Sequence, residues 1–151
     1  MPSSALIENI SGLLIFQIGD MEFCTDLKLV SAIMKPEEVK SDRRGNRLTH
    51  EFSDRKYMAI EFAEYYSTGP DKTLDSCRAL FLEIYGQKIS FYVDKVLEII
   101  SLDKIFIEES VEMELSADKD YVSSILSIQG KRFFFPDYDR IAKEVHSVGV
   151  F

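Results

Sequence analysis

The chain has 151 residues, enough for one domain of ordinary size and too few for a catalytic domain with a separate cofactor-binding module. Hydrophobic residues make up 46% and charged residues 29%, which excludes a disordered chain and one dominated by membrane-spanning segments. Eighteen Lys and Arg stand against 26 Asp and Glu, and the resulting charge of -8 sets up a field that repels a nucleic-acid backbone.

No Lys or Arg precedes the first apolar stretch, which is broken at Glu8 and Asn9, so no export signal is read. No apolar run reaches the roughly 20 residues that span a bilayer, and the expectation is a soluble cytoplasmic protein without membrane insertion. Gly12 to Gly19 is a short apolar run closed by Gly19-Asp20, and Met21 to Thr25 resumes it, which predicts a hairpin. Leu27 to Met34 alternates at first and is read as a strand that turns before Lys35-Pro36. Residues 35–47 hold one large apolar residue and a Gly-Asn pair, the composition of a surface loop. Leu48 to Phe52 and Lys56 to Phe62 predict short strands around Ser53-Asp54-Arg55; Glu61 to Tyr66 can close as one or two helical turns before the chain breaks at 67–71.

Arg78 to Tyr85 and Lys88 to Val93 predict a hairpin through Gly86-Gln87, with Ile89, Phe91 and Val93 alternating with Lys88, Ser90 and Tyr92. Val93 to Leu102 is rich in Val and Ile and continues as strand, with Val93, Val96 and Ile99 read as structural. Lys104 to Glu108 predicts a further short strand, and Glu108 to Asp120 an acidic loop. Tyr121 to Ile128 and Lys131 to Phe135 form a second strong hairpin through Gln129-Gly130. Pro136 to His146 is a short terminal helix, with acids in its first turn and Ile141 and Val145 four apart. About ten short strands with glycine turns and little helix describe an all-β barrel or sandwich.

Catalytic chemistry is thinly supplied. There are two histidines, His50 in a predicted strand and His146 near the C-terminus, and a solvent-facing or hydrogen-bonded structural role is the expectation for His50. No GxGxxG, Walker loop, HExxH or G-x-S-x-G is present. Cys24 and Cys77 form no CxxC pair and are expected as reduced, half-buried residues, too few for a structural zinc site. The carboxylates between Glu108 and Asp120 lack the glycine of a calcium loop and are read as solvated. Arg43, Arg44 and Arg47 form a basic cluster without interleaved aromatics, suited to docking an acidic partner rather than nucleic acid. Phe133-Phe134-Phe135 sends rings to both faces of a strand, so either both faces are covered or one ring awaits a partner.

Several strings share an order. Leu14 to Phe23 forms the first hairpin and Asp26 to Ile33 the next strand. Arg78-Ala79-Leu80-Phe81-Leu82-Glu83-Ile84 is followed by the Gly86 turn and Val93-Asp94-Lys95-Val96-Leu97-Glu98-Ile99. Ile128-Gln129-Gly130 leads through Phe135-Pro136 to Asp137-Tyr138-Asp139. In this order they resemble, over roughly residues 13 to 145, the CheW-like family of coupling proteins, which join chemoreceptors to a histidine kinase in bacterial chemotaxis.

The resemblance implies two packed five-stranded SH3-like β-barrel lobes with a short C-terminal helix. Residues 1–12 would be an N-terminal extension and 13–151 a single CheW-like domain with loops near 35–47, 67–76 and 108–120. It implies a non-enzymatic adaptor with no catalytic residue, cofactor or metal. Its partners would be the regulatory domain of a CheA-like histidine kinase, the tip of a methyl-accepting chemoreceptor and other CheW-like domains, with no nucleic acid. Carried over by position, Val30, Ile33, Ser53, Asp54 and Arg55 would face the receptor groove. Met58, Ile60 and Phe62 would form the kinase edge or the core. The family's Arg-Gly turn is Ser53-Asp54 here, its proline is Met58, the acid of its V-x-E-I is Ala32, and its glycine after the first hairpin is Cys24. The alternatives are a ligand-binding or enzymatic β-barrel with an inter-lobe pocket around His50, Cys24 or Cys77, and a nucleic-acid-binding barrel disfavoured by charge. A solid seam of Leu, Ile and Phe would speak against the pocket.

Overall fold

The computed structural model describes residues 12–45, 47–66, 68–84, 86–101, 111–115, 121–128 and 130–148. Among them are twelve strands in two six-stranded sheets. The first sheet contains β1 (Gly12–Ile18), β2 (Met21–Asp26), β9 (Lys95–Ser101), β10 (Val111–Leu115), β11 (Val122–Ile128) and β12 (Lys131–Pro136), in the order β10-β11-β12-β2-β1-β9. The second contains β3 (Val30–Met34), β4 (Lys40–Arg44), β5 (Arg47–Phe52), β6 (Arg55–Ala59), β7 (Arg78–Ile84) and β8 (Gln87–Val93), in the order β3-β7-β8-β6-β5-β4. The sheets are mostly antiparallel, with short parallel contacts where Phe134 meets Phe23 and where Met58 and Ala59 meet Ile89 and Ser90. The two-lobe, all-β expectation holds.

Strands that are apolar on both faces are explained by what covers them. In β1, Leu14, Phe16 and Ile18 face the second sheet, while Leu13 and Ile15 face a smaller cluster with Cys24, Leu126, Phe133 and Phe135. In β7, Leu80, Leu82 and Ile84 join the central core, while Ala79 and Phe81 turn to a third cluster around Tyr57. The seam between the sheets is solid: Phe16 lies 5.5 Å from Phe23 and 5.8 Å from Phe91, and Phe62 lies 5.0 Å from both Phe23 and Phe91. Such ring pairs add about 0.5–1.5 kcal/mol each beyond their buried area. The Phe triplet follows the first of its two expectations, with Phe133 and Phe135 buried on one face and Phe134 half-buried against the central core, 6.2 Å from Phe23.

The terminal helix α1 (Tyr138–Val148) starts where Asp137 caps it, its carboxylate accepting the Arg140 amide at 3.2 Å and its carbonyl the Ile141 amide at 3.1 Å. Tyr138, Ile141 and Ala142 bury one face of the first turns in the central core. The β1–β2 turn requires Gly19, whose φ is +58° and whose missing Cβ would fall on the Thr68 hydroxyl.

Three expectations are corrected. Leu27–Leu29 is a 3-10 turn, capped by the Asp26 side chain at the Lys28 amide, so the strand begins at Val30. The segment read as a loop at 35–47 contains a 3-10 turn at Pro36–Glu38 and the strand β4, which pairs with β5 residue for residue from Lys40 opposite Glu51 to Arg44 opposite Arg47. The acidic segment read as a loop at 108–120 contains β10, paired with β11. Both are outermost strands, and they raise each lobe from five strands to six; β4 is exposed at every residue, so pairing with β5 rather than burial holds it and no alternation marks it in sequence. The predicted strand at 104–108 lies outside the described residues.

Candidate functional site

The register of the two sheets places an apolar site at the rim of the seam. On β3, Val30 lies opposite Leu82 and Ile33 opposite Leu80, both core residues that face the first sheet. Val30 and Ile33 therefore share the inter-lobe face; Val30 is half-buried against the core and Ile33 is 41% exposed. On β9, Ile99 lies opposite Leu14 and Val96 opposite Phe16, again core residues facing the seam. Val96 packs on the core, whereas Ile99 is 62% exposed. Both strands are sheet edges, paired on one side only. The 27–29 turn joins the two sides, because Leu27 lies against Gly12, which pairs with Ser101 at the end of β9.

Two of the three exposed large hydrophobic side chains among the described residues thus sit at this rim. Single exposed apolar residues are ordinary; these two stand on the outermost described strands of the two sheets, each on the face that its strand turns to the seam. Sequence reasoning named Val30 and Ile33 as groove-facing and read Ile99 as structural, and gave no sign that Ile99 is exposed. The missing signal was the bulge between Ile15 and Phe16 in the β1–β9 register, which lets Val96 and Ile99, three residues apart, share a face.

Ser53 and Asp54 form the β5–β6 turn, with φ of 52° and 60°, and both are exposed. Arg55 follows, and its guanidinium lies 3.8 Å from the Glu83 carboxylate, one residue beyond Val30's partner Leu82. The turn is thereby tied to the end of β7 at which β3 begins. Met58 is half-buried on β6, whereas Ile60 and Phe62 are buried in the central core, which leaves Met58 as the accessible member of that trio.

The buried polar groups do not assemble a reaction centre. His50 Nδ1 and Ser90 Oγ are 2.9 Å apart, yet both side chains are buried, in the middle of β5 and β8, with Phe81 and Tyr92 rings against the imidazole. Burial first, and the Lys72 ammonium second, hold the His50 pKa below its ordinary value, with Glu61 opposing. A nucleophile must meet its substrate, and Ser90 is fully covered. Cys24 and Cys77 are free and buried; burial pushes the Cys24 thiol well up and also raises Cys77, the opposite of an activated thiolate. Among the described residues no group of three His, Cys, Asp or Glu is placed to hold a metal ion, and no helix is long and apolar enough to cross a membrane.

A family model described as the CheW-like domain matches residues 12–146. No curated protein sequence matches the chain. Among solved structures, the scaffolding protein TtCheW from Thermoanaerobacter tengcongensis is similar, with a TM-score of 0.66 and 18% identity over 84% of this chain and 88% of that one.

Proposed function

The chain belongs to the CheW-like domain family, and from that premise we propose that it is a cytoplasmic, non-enzymatic adaptor coupling a chemoreceptor to a CheA-like histidine kinase. The observation that supports this reading is the exposure of Ile33 and Ile99 on the seam-side faces of the edge strands β3 and β9. A helical receptor tip presents anchors at i, i+3 and i+4 along one stripe, and a groove with apolar side chains on both walls accepts that stripe. Val30 forms the floor, and the Ser53-Asp54-Arg55 turn stands at the end where β3 begins.

The same reading assigns Met58 to a contact with the regulatory domain of the kinase, or with another CheW-like domain, while Ile60 and Phe62 support it from the core. Ser53 and Asp54 stand where the family's resemblance led one to expect Arg and Gly, so the receptor partner would carry no carboxylate placed for that arginine. The solid aromatic seam speaks against the inter-lobe ligand pocket.

The test is calorimetric titration of the full chain with the regulatory domain of a CheA-like kinase and, separately, with a receptor-tip fragment from the same cell. Asp54→Arg is run in parallel. Binding of both, with Asp54→Arg altering only the receptor titration, is the expected result. Silence in both titrations would remove the adaptor reading.

A further inference from the structure

The basic cluster noted in the sequence is not used by the groove; it lies on the opposite edge of the second sheet. Among the described residues β4 pairs only with β5, so its outer backbone N–H and C=O groups meet no described strand, and all five of its residues are exposed. Arg44 stands directly opposite Arg47 across the hairpin. Like charges in that position weaken a strand pair, so the fold gains nothing from the juxtaposition. Asp42, two residues along on the same face, takes Arg44 at 3.3 Å and Lys56 at 3.7 Å. Arg47 is left without an ionic partner among the described residues, and Lys88 approaches from β8, 3.8 Å from Glu83.

Arg44, Arg47, Lys56 and Lys88, with Asp42 and Met58, line an open cavity of about 360 Å³. Four cations therefore meet one acid on its wall, in a chain whose net charge is -8. Charged residues on an edge strand also discourage unwanted pairing, but that role requires neither a cavity nor cations contributed by β6 and β8. A drug-sized ligand is held in an enclosed pocket, whereas this cavity is open and carries four cations. Single-stranded nucleic acid needs aromatic platforms, and none lines the cavity.

We propose that this face binds an acidic peptide, an extended segment of a protein partner with carboxylates at alternate positions, laid alongside β4. Every second side chain of an extended peptide falls on one face about 7 Å apart, so one carboxylate can meet Arg44 and Arg47, which share a level across the hairpin, and the next can reach the Lys56 ammonium beside Asp42, while the peptide backbone pairs with the free edge. The surface lies on the edge opposite β3 and stands whether or not the adaptor reading does.

The experiment is fluorescence anisotropy on the full chain with a labelled alternating Val-Glu octapeptide. A Val-Gln octapeptide, inorganic tripolyphosphate and a single-stranded oligonucleotide serve as competitors, and amide shifts are mapped by NMR on the wild-type protein. Expected are saturable binding that weakens with salt, shifts confined to β4, β5 and β6, and affinity about tenfold lower for the Arg44→Glu/Arg47→Glu double variant and for Val-Gln. Asp42→Asn, which removes the one acid, should tighten binding and does not depend on the double variant folding. No binding, shifts elsewhere, unchanged affinity in both variants, or equal competition by tripolyphosphate or oligonucleotide would overturn the proposal.

Discussion

His50 and Ser90 come from strands that are not neighbours in the second sheet, yet their side chains meet at 2.9 Å beneath β6, which separates β5 from β8. The contact places a buried imidazole beside a hydroxyl and two aromatic rings, with Lys72 as the nearby cation and Glu61 as the nearby acid. Neutral imidazole suits that setting and imidazolium does not.

A pH dependence of stability follows. With the folded pKa of His50 held below 6.5, the unfolded chain takes up the proton first as pH falls. The unfolded state then binds more protons than the folded one, so stability is full above about pH 7.5 and is lost as pH drops through 6.5 toward the lowered value. Thermal melts from pH 7.5 to 5.5 should show a steeper decline for the wild type than for His50→Gln. The difference between the two curves isolates this histidine from the carboxylates that titrate lower; parallel curves would show that it does not couple to folding.

Asp94, at the corner between β8 and β9, joins the two lobes. Its carboxylate accepts the Gly19 amide at 2.7 Å and the Asp71 amide at 2.5 Å, its carbonyl accepts the Ser76 hydroxyl at 2.7 Å, and its own amide donates to Gln17 at 2.9 Å. Asp94→Ala removes two charge-assisted hydrogen bonds and should cost about 2–3 kcal/mol, or roughly 5–10 °C in melting temperature. Asp94→Asn keeps one acceptor and should lose about half as much. A melting temperature unchanged in both variants would show that the loops hold their places without it.

The β5–β6 turn predicts the opposite sign. Asp54 has φ of 60°, the left-handed region where a side chain costs free energy and glycine does not. Aspartate tolerates this region better than most residues, so Asp54→Gly should stabilise the protein by a modest 0.5–1 kcal/mol, or about 1–4 °C. Chemical denaturation with an unchanged slope is the measurement; a loss of stability would mean that the side chain makes a compensating contact in the turn.

The sequence was most readable where burial imposes a period. β7, β8 with Ile89, Phe91 and Val93 alternating with Lys88, Ser90 and Tyr92, and the helix opening at Asp137 follow directly from residue spacing and capping chemistry. β4 was invisible because an exposed edge strand needs only a neighbour's backbone, and Lys-Ser-Asp-Arg-Arg carries no apolar alternation to announce it. Of the proposed groove, Val30 and Ile33 came from their place in the family-like string, whereas the exposure of Ile99 on the seam-side face depended on a register bulge and on its strand being outermost. Neither property is local.

Adjacent residues of β9 provide the sharpest separation of packing from docking. Ile99 lies on the seam-side face and is 62% exposed, while Ile100, opposite Leu13, packs against the cluster on the other face of the sheet. Threonine keeps the β-branched shape in both places, so strand propensity changes little. Ile99→Thr should leave stability within about 0.5 kcal/mol and weaken binding of a receptor-tip helix by about five- to thirtyfold, the loss of one apolar anchor. Ile100→Thr should cost about 1–2 kcal/mol of stability, because it places a hydroxyl against apolar neighbours, and leave the affinity of the folded protein unchanged. Denaturation and titration of the two variants side by side decide the matter: if Ile99→Thr binds as the wild type does, β9 is not a wall of the proposed docking groove.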